Sequence, residues 1–361
     1  MSADRETAGT LTSTAGPGRA KVSGSSPNPG KARGLQRITS RDGFLLACAV
    51  DHITEFRELL GPQPDFAQTV QAKVDLVRAV APVTSAVLVD AMYGAGYLGM
   101  TGALPSDVGL MVSLEDGDYS LSSPKWTRFR AGWGPHQARR AAADAVKLLW
   151  WYRPDGDPEL AEQQRRTLLA LSQDCTALGL PLIVEPIWFP RLGEDTSSPE
   201  WRSRRAEGII ESATTAELLG ADVLKVEFPA DLDQPSGEAK SRDVLARLDG
   251  ALTRPWVLLS AGVPFETFER QVELASAAGG SGYIAGRSLW REVVSARPEE
   301  REEAVSRMVE RLAGLNRLTR QYGTPAADVL SIEAAIAALP EAWYECSPVA
   351  ATDDRLPAGA N

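Results

Sequence analysis

The chain of 361 residues contains eight short apolar segments, and most neighbouring segments are separated by a stretch with a helical pattern. Each segment is apolar almost throughout, whereas a strand with one face in water would alternate apolar and polar residues. Eight such repeats predict an α/β fold in which helices cover parallel strands, the (β/α)8 TIM barrel. The predicted strands are residues 44–50, 86–89, 108–114, 145–152, 180–187, 221–228, 255–260 and 282–285.

The segments that flank the predicted barrel differ from it in composition. Residues 1–36 are rich in Ser, Gly and Pro and hold no apolar run, so we expect a disordered tail there. The barrel is predicted to span residues 37–323. Residues 324–361 are expected to form a C-terminal extension, with one helix over residues 328–338 packed outside the barrel. We expect no second domain.

Composition narrows the classes of function. The net charge of −10 argues against a general surface for nucleic acid or anionic membranes. Three distant cysteines and two histidines give no metal-binding spacing, and no apolar run approaches the roughly 20 residues of a membrane helix. We therefore expect a cytoplasmic protein without metal or other cofactor that binds a small molecule. A homo-oligomer is compatible with this composition, and a transit peptide is the alternative interpretation of the tail.

Polar residues interrupt or directly follow the apolar segments. In a TIM barrel the carboxyl ends of the strands form the active site, so these side chains are expected to converge there. A lysine within a buried strand is costly unless it is paired or used. Lys225 and Glu227 lie on one face of their strand, and a purely structural pair is the simplest interpretation. The full set favours a functional one: Asp51, Asp90, Lys147, Glu185, Lys225, Glu227, Ser260 and Arg287.

Two lysines and a carboxylate suit one chemistry in particular. A lysine amine attacks a carbonyl only when it is unprotonated, and a second cation nearby favours that form. Lys147 is the candidate second cation for Lys225, and Glu185 can move the proton that the reaction requires. The loops after the last two strands, 260–262 and 285–287, lie where such barrels bind phosphate, and Arg287 offers a bidentate fork.

Seven motifs in order resemble the class I aldolases of the tagatose-1,6-bisphosphate and sulfofructose-phosphate type. They are AVDH (49–52), AVLVD (86–90), AVKLLWWY (145–152), IVEP (183–186), DVLKVEFP (222–229), PWVLLSAGV (255–263) and GYIAGRSLW (282–290). The resemblance spans about residues 38–320. It implies a lyase that cleaves a ketose phosphate through a lysine Schiff base, releasing dihydroxyacetone phosphate and an aldehyde.

The resemblance also implies roles for individual residues. Lys225 matches the Schiff-base lysine, Lys147 its cationic neighbour, and Glu185 the general acid/base. Asp51 matches the aspartate of the first strand. The predicted residues that bind substrate or its phosphate are Ser260, Gly262, Gly286, Arg287, His52, Asp90 and Arg191. A packing role is the alternative for His52.

The sequence departs from this family after its first strand. The family commonly has Asp-Gln-Arg there, whereas this chain has Asp51-His52-Ile53, so the arginine is absent. The sequence leaves two explanations open. A second anionic group of the substrate binds another cation (Arg57, Arg191 or Lys125), or the second half of the substrate is uncharged and packs against Trp150, Trp151 or Trp188.

Two other functions are alternatives. Residues 94–99 read GxGxxG after a strand, with Glu115 and Asp116 about 20 residues on, as in NAD-binding dehydrogenases. That motif needs a helix that begins at its glycines, and the short, Gly- and Pro-containing stretch that follows predicts a flexible loop instead. The second alternative is a catalytically weak, regulatory barrel that binds a sugar phosphate, because fold alone does not fix function.

Overall fold

The computed structural model describes residues 28–116, 125–234, 237–327, 329–339 and 341–345. Eight parallel strands pair in chain order and close on themselves, with β1 beside both β2 and β8. The predicted TIM barrel is therefore confirmed. The strands are β1 Leu45–Val50, β2 Ala86–Val89, β3 Gly109–Ser113, β4 Ala145–Trp151, β5 Leu182–Ile187, β6 Val223–Val226, β7 Trp256–Leu259 and β8 Gly282–Ala285.

Helices surround the barrel and follow its strands. Three of these helices contain 20 to 22 residues each. The helices are α1 Pro29–Ile38, α2 Thr54–Leu60, α3 Phe66–Val80, α4 Gly96–Thr101, α5 Pro135–Arg140, α6 Pro158–Ala177, α7 Pro199–Leu218, α8 Gly237–Ala251, α9 Phe265–Ala277, α10 Arg287–Ser295, α11 Arg301–Tyr322 and α12 Ile332–Ala338.

Alternate side chains of each strand form two separate apolar cores. On β1, Leu45, Ala47 and Ala49 belong to the inner core within the barrel, while Leu46 and Cys48 pack with the surrounding helices. This division follows from the two-residue repeat of a strand. Since both faces are buried, the strands are apolar throughout, which is the pattern that the sequence showed.

The expectation of a disordered tail over residues 1–36 is wrong for residues 29–36. They belong to α1, which begins after Asn28, whose side chain accepts a hydrogen bond from Lys31 N. Ile38 at the other end of α1 is fully buried and joins the inner core of the barrel. Helix α1 thus packs at the amino-terminal end of the barrel, opposite the expected active site. Its Ser- and Gly-rich neighbours up to residue 27 lie outside the described residues.

Residues 91–101, which contain the GxGxxG motif, are helical and do not form the expected flexible loop. A π-helical turn, Ala91–Ala95, runs directly into α4. The Asp90 carboxylate accepts hydrogen bonds from Met92 N and Tyr93 N, so an internal anion already occupies the start of this helical segment. A closed barrel also differs from the open sheet of Rossmann folds, so the GxGxxG motif does not form a Rossmann phosphate-binding turn here.

The C-terminal extension contains a short helix where one was expected. Helix α12 lies within the predicted range of 328–338, although residue 328 is outside the described part of the chain. Ile332 and Ile336 on this helix are exposed. Across the described residues, no helix is both long and apolar enough to cross a bilayer.

Closure of the barrel between β8 and β1 depends on Gly282. Its φ of +136° is a conformation that other residues rarely adopt, and an added Cβ would lie 2.0 Å from the Leu45 carbonyl oxygen. We expect Gly282→Ala to lower the free energy of unfolding by about 3 kcal/mol or more, through overpacking and left-handed strain. Urea denaturation followed by circular dichroism measures this change.

Gly314→Ala is the matched control, because Gly314 lies within α11 and an added Cβ meets only ordinary contacts at 3.7 Å and 3.8 Å. In a helix interior this change should be neutral or stabilise the protein by up to about 1 kcal/mol. Equal stabilities for the two variants would contradict the role assigned to Gly282.

Candidate active site

Two lysines and one glutamate meet at the carboxyl end of the barrel. Lys147 on β4, Glu185 on β5 and Lys225 on β6 each lie two positions after an apolar residue of the inner core, so all three point toward the barrel axis. Glu185 Oε2 lies 3.0 Å from Lys225 Nζ and 2.7 Å from Lys147 Nζ. All three side chains are buried. One carboxylate oxygen therefore contacts both amines.

Lys147 has two further carboxylate partners. Its Nζ lies 3.1 Å from Asp51 Oδ2 and 2.5 Å from Glu115 Oε1. Glu115 follows β3 and also accepts a hydrogen bond from Leu149 N. Glu115 was not among the predicted active-site residues, since in the sequence it stands out only as part of the dinucleotide motif. Its position directly after an apolar strand was the available signal, since the carboxyl ends of all eight strands meet at one rim.

Two carboxylates of this cluster, Glu185 and Asp51, are held in their charged form. Burial raises the pKa of Glu185, but the positive charges of Lys147 and Lys225 outweigh burial and lower it below its ordinary value. The same competition applies to Asp51. Burial raises its pKa, but the positive charges of Lys147 and Lys225 have the larger effect, so the pKa of Asp51 lies below its ordinary value. Both groups are therefore anions at neutral pH and can accept a proton.

His52 lies beside this cluster and both packs and lines the pocket. Its ring meets the edge of Trp290 at a centroid distance of 5.7 Å, and its Nδ1 lies 3.4 Å from Asp51 Oδ1. Burial lowers the pKa of His52 to about 4, with Arg287 and Lys225 adding to the shift and Asp51 opposing it. At neutral pH the imidazole is therefore uncharged.

The loops after β7 and β8 form a second part of the pocket. Ser260 Oγ accepts a hydrogen bond from Gly286 N at 3.2 Å, which ties the two loops together. Gly262 has a φ of +76°, and an added Cβ would lie 3.3 Å from Arg287 Nε. Helix α10 begins at Arg287, and the amide groups at a helix start favour an anion. These predicted phosphate-binding residues are therefore adjacent.

Arg287 already has a carboxylate partner. Its Nη1 lies 2.8 Å from Glu55 Oε2 on α2, and the other oxygen of Glu55 lies 2.6 Å from Arg291 Nη2. These side chains are partly exposed, with 31% of the Arg287 side chain and 30% of the Glu55 side chain accessible. An incoming phosphate would therefore compete with Glu55 for the Arg287 guanidinium.

Asp90, expected to bind substrate, lies behind the pocket instead. Its carboxylate forms an ion pair with Lys73 of α3, and both side chains are buried. Lys73 also donates hydrogen bonds to the Val50 and His52 carbonyl oxygens at 2.7 Å and 2.8 Å. This pair fixes the end of β1, from which Asp51 and His52 project. Lys73 was not predicted, because its only signal in the sequence is a charge close to the apolar stripe of α3.

Two more charged residues have partners other than those expected. Arg191, predicted to bind substrate, lines an adjacent cavity and pairs with Glu194 at 3.0 Å. Glu227 lines the reaction pocket but pairs with Arg205 at 3.0 Å. The simple Lys225–Glu227 pair is therefore replaced by contact of Lys225 with Glu185.

These elements enclose a pocket of about 240 Å³. Its base carries Asp51, Lys147, Glu185 and Lys225, and Arg287 and Trp151 lie on its walls. Over the described ranges of the chain, no group of three or more His, Cys, Asp or Glu side chains is arranged to hold a metal ion. The arrangement suits proton transfer and amine chemistry on a small anionic carbonyl compound.

Comparison with known families is decisive at this point. A family model described as DeoC/LacD family aldolase matches residues 45–292, which include all eight strands and the first part of α10. The chain belongs to this aldolase family. The aldolase is 26% identical over 321 residues to tagatose 1,6-diphosphate aldolase 2 of Streptococcus mutans, covering 82% of this chain and 97% of that protein. It is 27% identical over 292 residues to tagatose 1,6-diphosphate aldolase of Lactococcus lactis, covering 76% and 89%.

Solved structures of other aldolases share the fold. A Schiff-base-forming fructose-1,6-bisphosphate aldolase aligns with a TM-score of 0.56 and 21% identity, over 80% of this chain and 99% of that one. Fructose-bisphosphate aldolase of Plasmodium falciparum aligns with a TM-score of 0.63 and 14% identity, over 82% and 95%. The named relatives are lyases that cleave carbon–carbon bonds of sugar phosphates, and this chain is an aldolase of carbohydrate metabolism.

The contact between Glu55 and Arg287 predicts how one substitution changes anion affinity. We expect Glu55→Gln to strengthen the binding of inorganic phosphate about three- to tenfold, because it removes a negative charge that competes for the guanidinium. Titration calorimetry at constant ionic strength measures the dissociation constant.

Glu58→Gln is the control, since Glu58 lies on the same helix, is exposed, and loses the same charge. Weaker phosphate binding by Glu55→Gln would show instead that Glu55 holds Arg287 in its binding position. An equal gain in phosphate affinity in both variants would show that the effect comes only from the change in net charge.

Proposed function

We propose that this aldolase cleaves a ketose phosphate through a Schiff base on Lys225, releasing dihydroxyacetone phosphate and an aldehyde. The observation that carries the proposal is the single Glu185 oxygen in contact with both buried amines, at 3.0 Å from Lys225 and 2.7 Å from Lys147. An amine and a carboxylate at this distance can exchange a proton directly. The names of the relatives support a sugar phosphate as substrate.

The first step is the attack of the Lys225 amine on the ketose carbonyl at C2. Glu185 is ionised, so it can take the proton that the Lys225 ammonium loses before the attack. Once protonated, Glu185 returns that proton to the carbinolamine hydroxyl, which leaves as water. Lys147 remains charged beside Glu185 and holds its oxygen within reach of Lys225.

The second step breaks the bond between C3 and C4. A base removes the proton of the C4 hydroxyl, the aldehyde leaves, and the bonding electrons pass into an enamine on the Lys225 nitrogen. Glu185 and Asp51 are the ionised carboxylates at the base of the pocket that can accept this proton. Protonation at C3 and hydrolysis then release dihydroxyacetone phosphate and the free lysine.

The phosphate of the substrate is assigned to the Arg287 end of the pocket. The start of α10, the Ser260 loop and the guanidinium together present donors to an anion. His52 lines the same side of the pocket as an uncharged imidazole, which can donate a hydrogen bond without adding charge. This assignment leaves the opposite side of the pocket for the aldehyde half.

A panel of cleavage assays tests the proposed reaction. Tagatose and fructose bisphosphates, sulfofructose phosphate and ketose 1-phosphates are incubated with the protein, and dihydroxyacetone phosphate is measured by coupled reduction with NADH. We expect cleavage of at least one compound, without loss of activity in the presence of a chelator. Glu185→Gln should lower kcat by roughly 100-fold or more, the usual scale for loss of a general acid/base.

Glu227→Gln is the matched control, because Glu227 lines the same pocket but pairs with Arg205. It should retain much more activity than Glu185→Gln. Near wild-type turnover in both Glu185→Gln and Glu227→Gln would mean that Glu185 is not the general acid/base. A wild type that binds one of the sugars in calorimetry but cleaves none would favour the regulatory barrel.

A further inference from the structure

A second cavity, of about 290 Å³, adjoins the reaction pocket on the side of β4 and β5. The two spaces share one side chain, Trp151, which lines both. Beyond Trp151 the lining includes the apolar or aromatic side chains of Tyr152, Leu160, Phe189 and Leu192. The second cavity therefore borders the site of the chemistry, with the Trp151 side chain between the two spaces.

The path from the lysines to this cavity is apolar. Lys147, Leu149 and Trp151 occupy alternate positions of β4, so they lie on one face and all line the reaction pocket. Ile187 of β5 lines it beside them. The edge of Trp151 meets the ring of Phe189 at a centroid distance of 5.7 Å, which extends the apolar wall into the second cavity.

The anion-binding end lies on the opposite side of the barrel. Arg287 follows β8, and Trp151 ends β4, and in a closed ring of eight strands these two are diametrically opposite. Lys225 on β6 lies between them on the ring. A substrate whose phosphate binds Arg287 and whose C2 carbonyl reaches Lys225 would therefore direct its aldehyde half toward Trp151.

Two arginines at the second cavity are already engaged with carboxylates. Arg153 is buried, pairs with Asp155 and Glu194 at 2.8 Å each, and lies over the ring of Trp188 at 3.7 Å. Arg191 pairs with Glu194 at 3.0 Å and donates a hydrogen bond to the Asp155 carbonyl oxygen. Binding a phosphate here would require breaking contacts with two carboxylates, Asp155 and Glu194, whereas Arg287 contacts the single carboxylate of Glu55, so neither arginine is as ready a partner for an anion as Arg287.

Neither of the other two candidate cations lines the reaction pocket, and of the two only Lys125 lines the second cavity. Arg57 donates a hydrogen bond to the Pro64 carbonyl oxygen and lies over the ring of Tyr93, away from both cavities. Lys125 lies with its Nζ 4.3 Å from the centre of the Trp151 ring. Among the described residues that line the second cavity, it is the one cation without a carboxylate in contact. An ammonium group is attracted to the face of an aromatic ring, so Lys125 can pack against Trp151 or an aromatic ligand as well as bind an anion.

We infer that the aldehyde half of the substrate is uncharged and carries an apolar, preferably aromatic, group that occupies the cavity beyond Trp151. This inference rests on the proposed Schiff-base reaction and specifies its substrate class. It explains why the arginine that the family has after its first strand is absent here, because an uncharged aldehyde half needs no cation at that position. In the reverse reaction, C3 of the Lys225-bound enamine adds to the aldehyde carbon, whose oxygen takes one proton, so no further reactant is required.

Condensation assays test the inference. Dihydroxyacetone phosphate is supplied with phenylacetaldehyde, unphosphorylated glyceraldehyde or glyceraldehyde 3-phosphate, and the product is measured by chromatography. We expect kcat/KM for phenylacetaldehyde to exceed that for glyceraldehyde 3-phosphate by about tenfold or more, the smallest effect typical of a filled apolar pocket. The ratio of phenylacetaldehyde to glyceraldehyde should fall about tenfold in Leu160→Ala, which enlarges the cavity.

Leu169→Ala is the matched control, since Leu169 lies on the same helix, is 43% exposed and lines neither cavity. It should leave the ratio unchanged. A preference for glyceraldehyde 3-phosphate that is lost in Lys125→Met would overturn the inference, while leaving the proposed reaction intact. Failure to condense any aldehyde would overturn the proposed reaction itself.

Discussion

The contact that the site depends on is the Glu185 carboxylate between the Lys147 and Lys225 amines. Two buried ammonium groups would be strongly unfavourable in an apolar barrel without nearby anions. Glu185, Asp51 and Glu115 supply those anions, and each comes from the end of a different strand. Only a closed ring brings β1, β3, β4 and β5 around one point, so the chemistry and the barrel topology are inseparable.

Residues outside the pocket keep this cluster in place. Lys73 and Asp90 form a buried ion pair behind β1, and Lys73 binds the two carbonyl groups that flank Asp51. At the other end of the barrel, Ile38 of α1 fills the inner core beneath the charged layer. The charged layer therefore lies on a close-packed apolar base, which limits the movement of its side chains and holds the amine–carboxylate distances short.

Much of this architecture is predictable from sequence because it depends on local patterns. Apolar runs fixed by burial on both faces identify all eight strands, and a lysine within such a run identifies Lys225. Partners were harder to predict, since a pairing such as Lys73 with Asp90 depends on where a helix packs against a neighbouring strand. Asp90 and Arg191 were wrongly expected in the pocket because their ion-pair partners could not be predicted. Helix α1 was not predicted because the sequence around it is rich in Gly and Pro.

In the proposed reaction Lys225, and not its neighbour Lys147, forms the covalent bond to substrate. Both amines contact the same oxygen, so geometry alone gives each a carboxylate partner. Borohydride reduction in the presence of dihydroxyacetone phosphate converts a Schiff base into a stable secondary amine, which peptide mass spectrometry can locate. We predict one reduced adduct per chain, on Lys225. An adduct on Lys147, or no gain in mass at saturating dihydroxyacetone phosphate, would contradict this prediction.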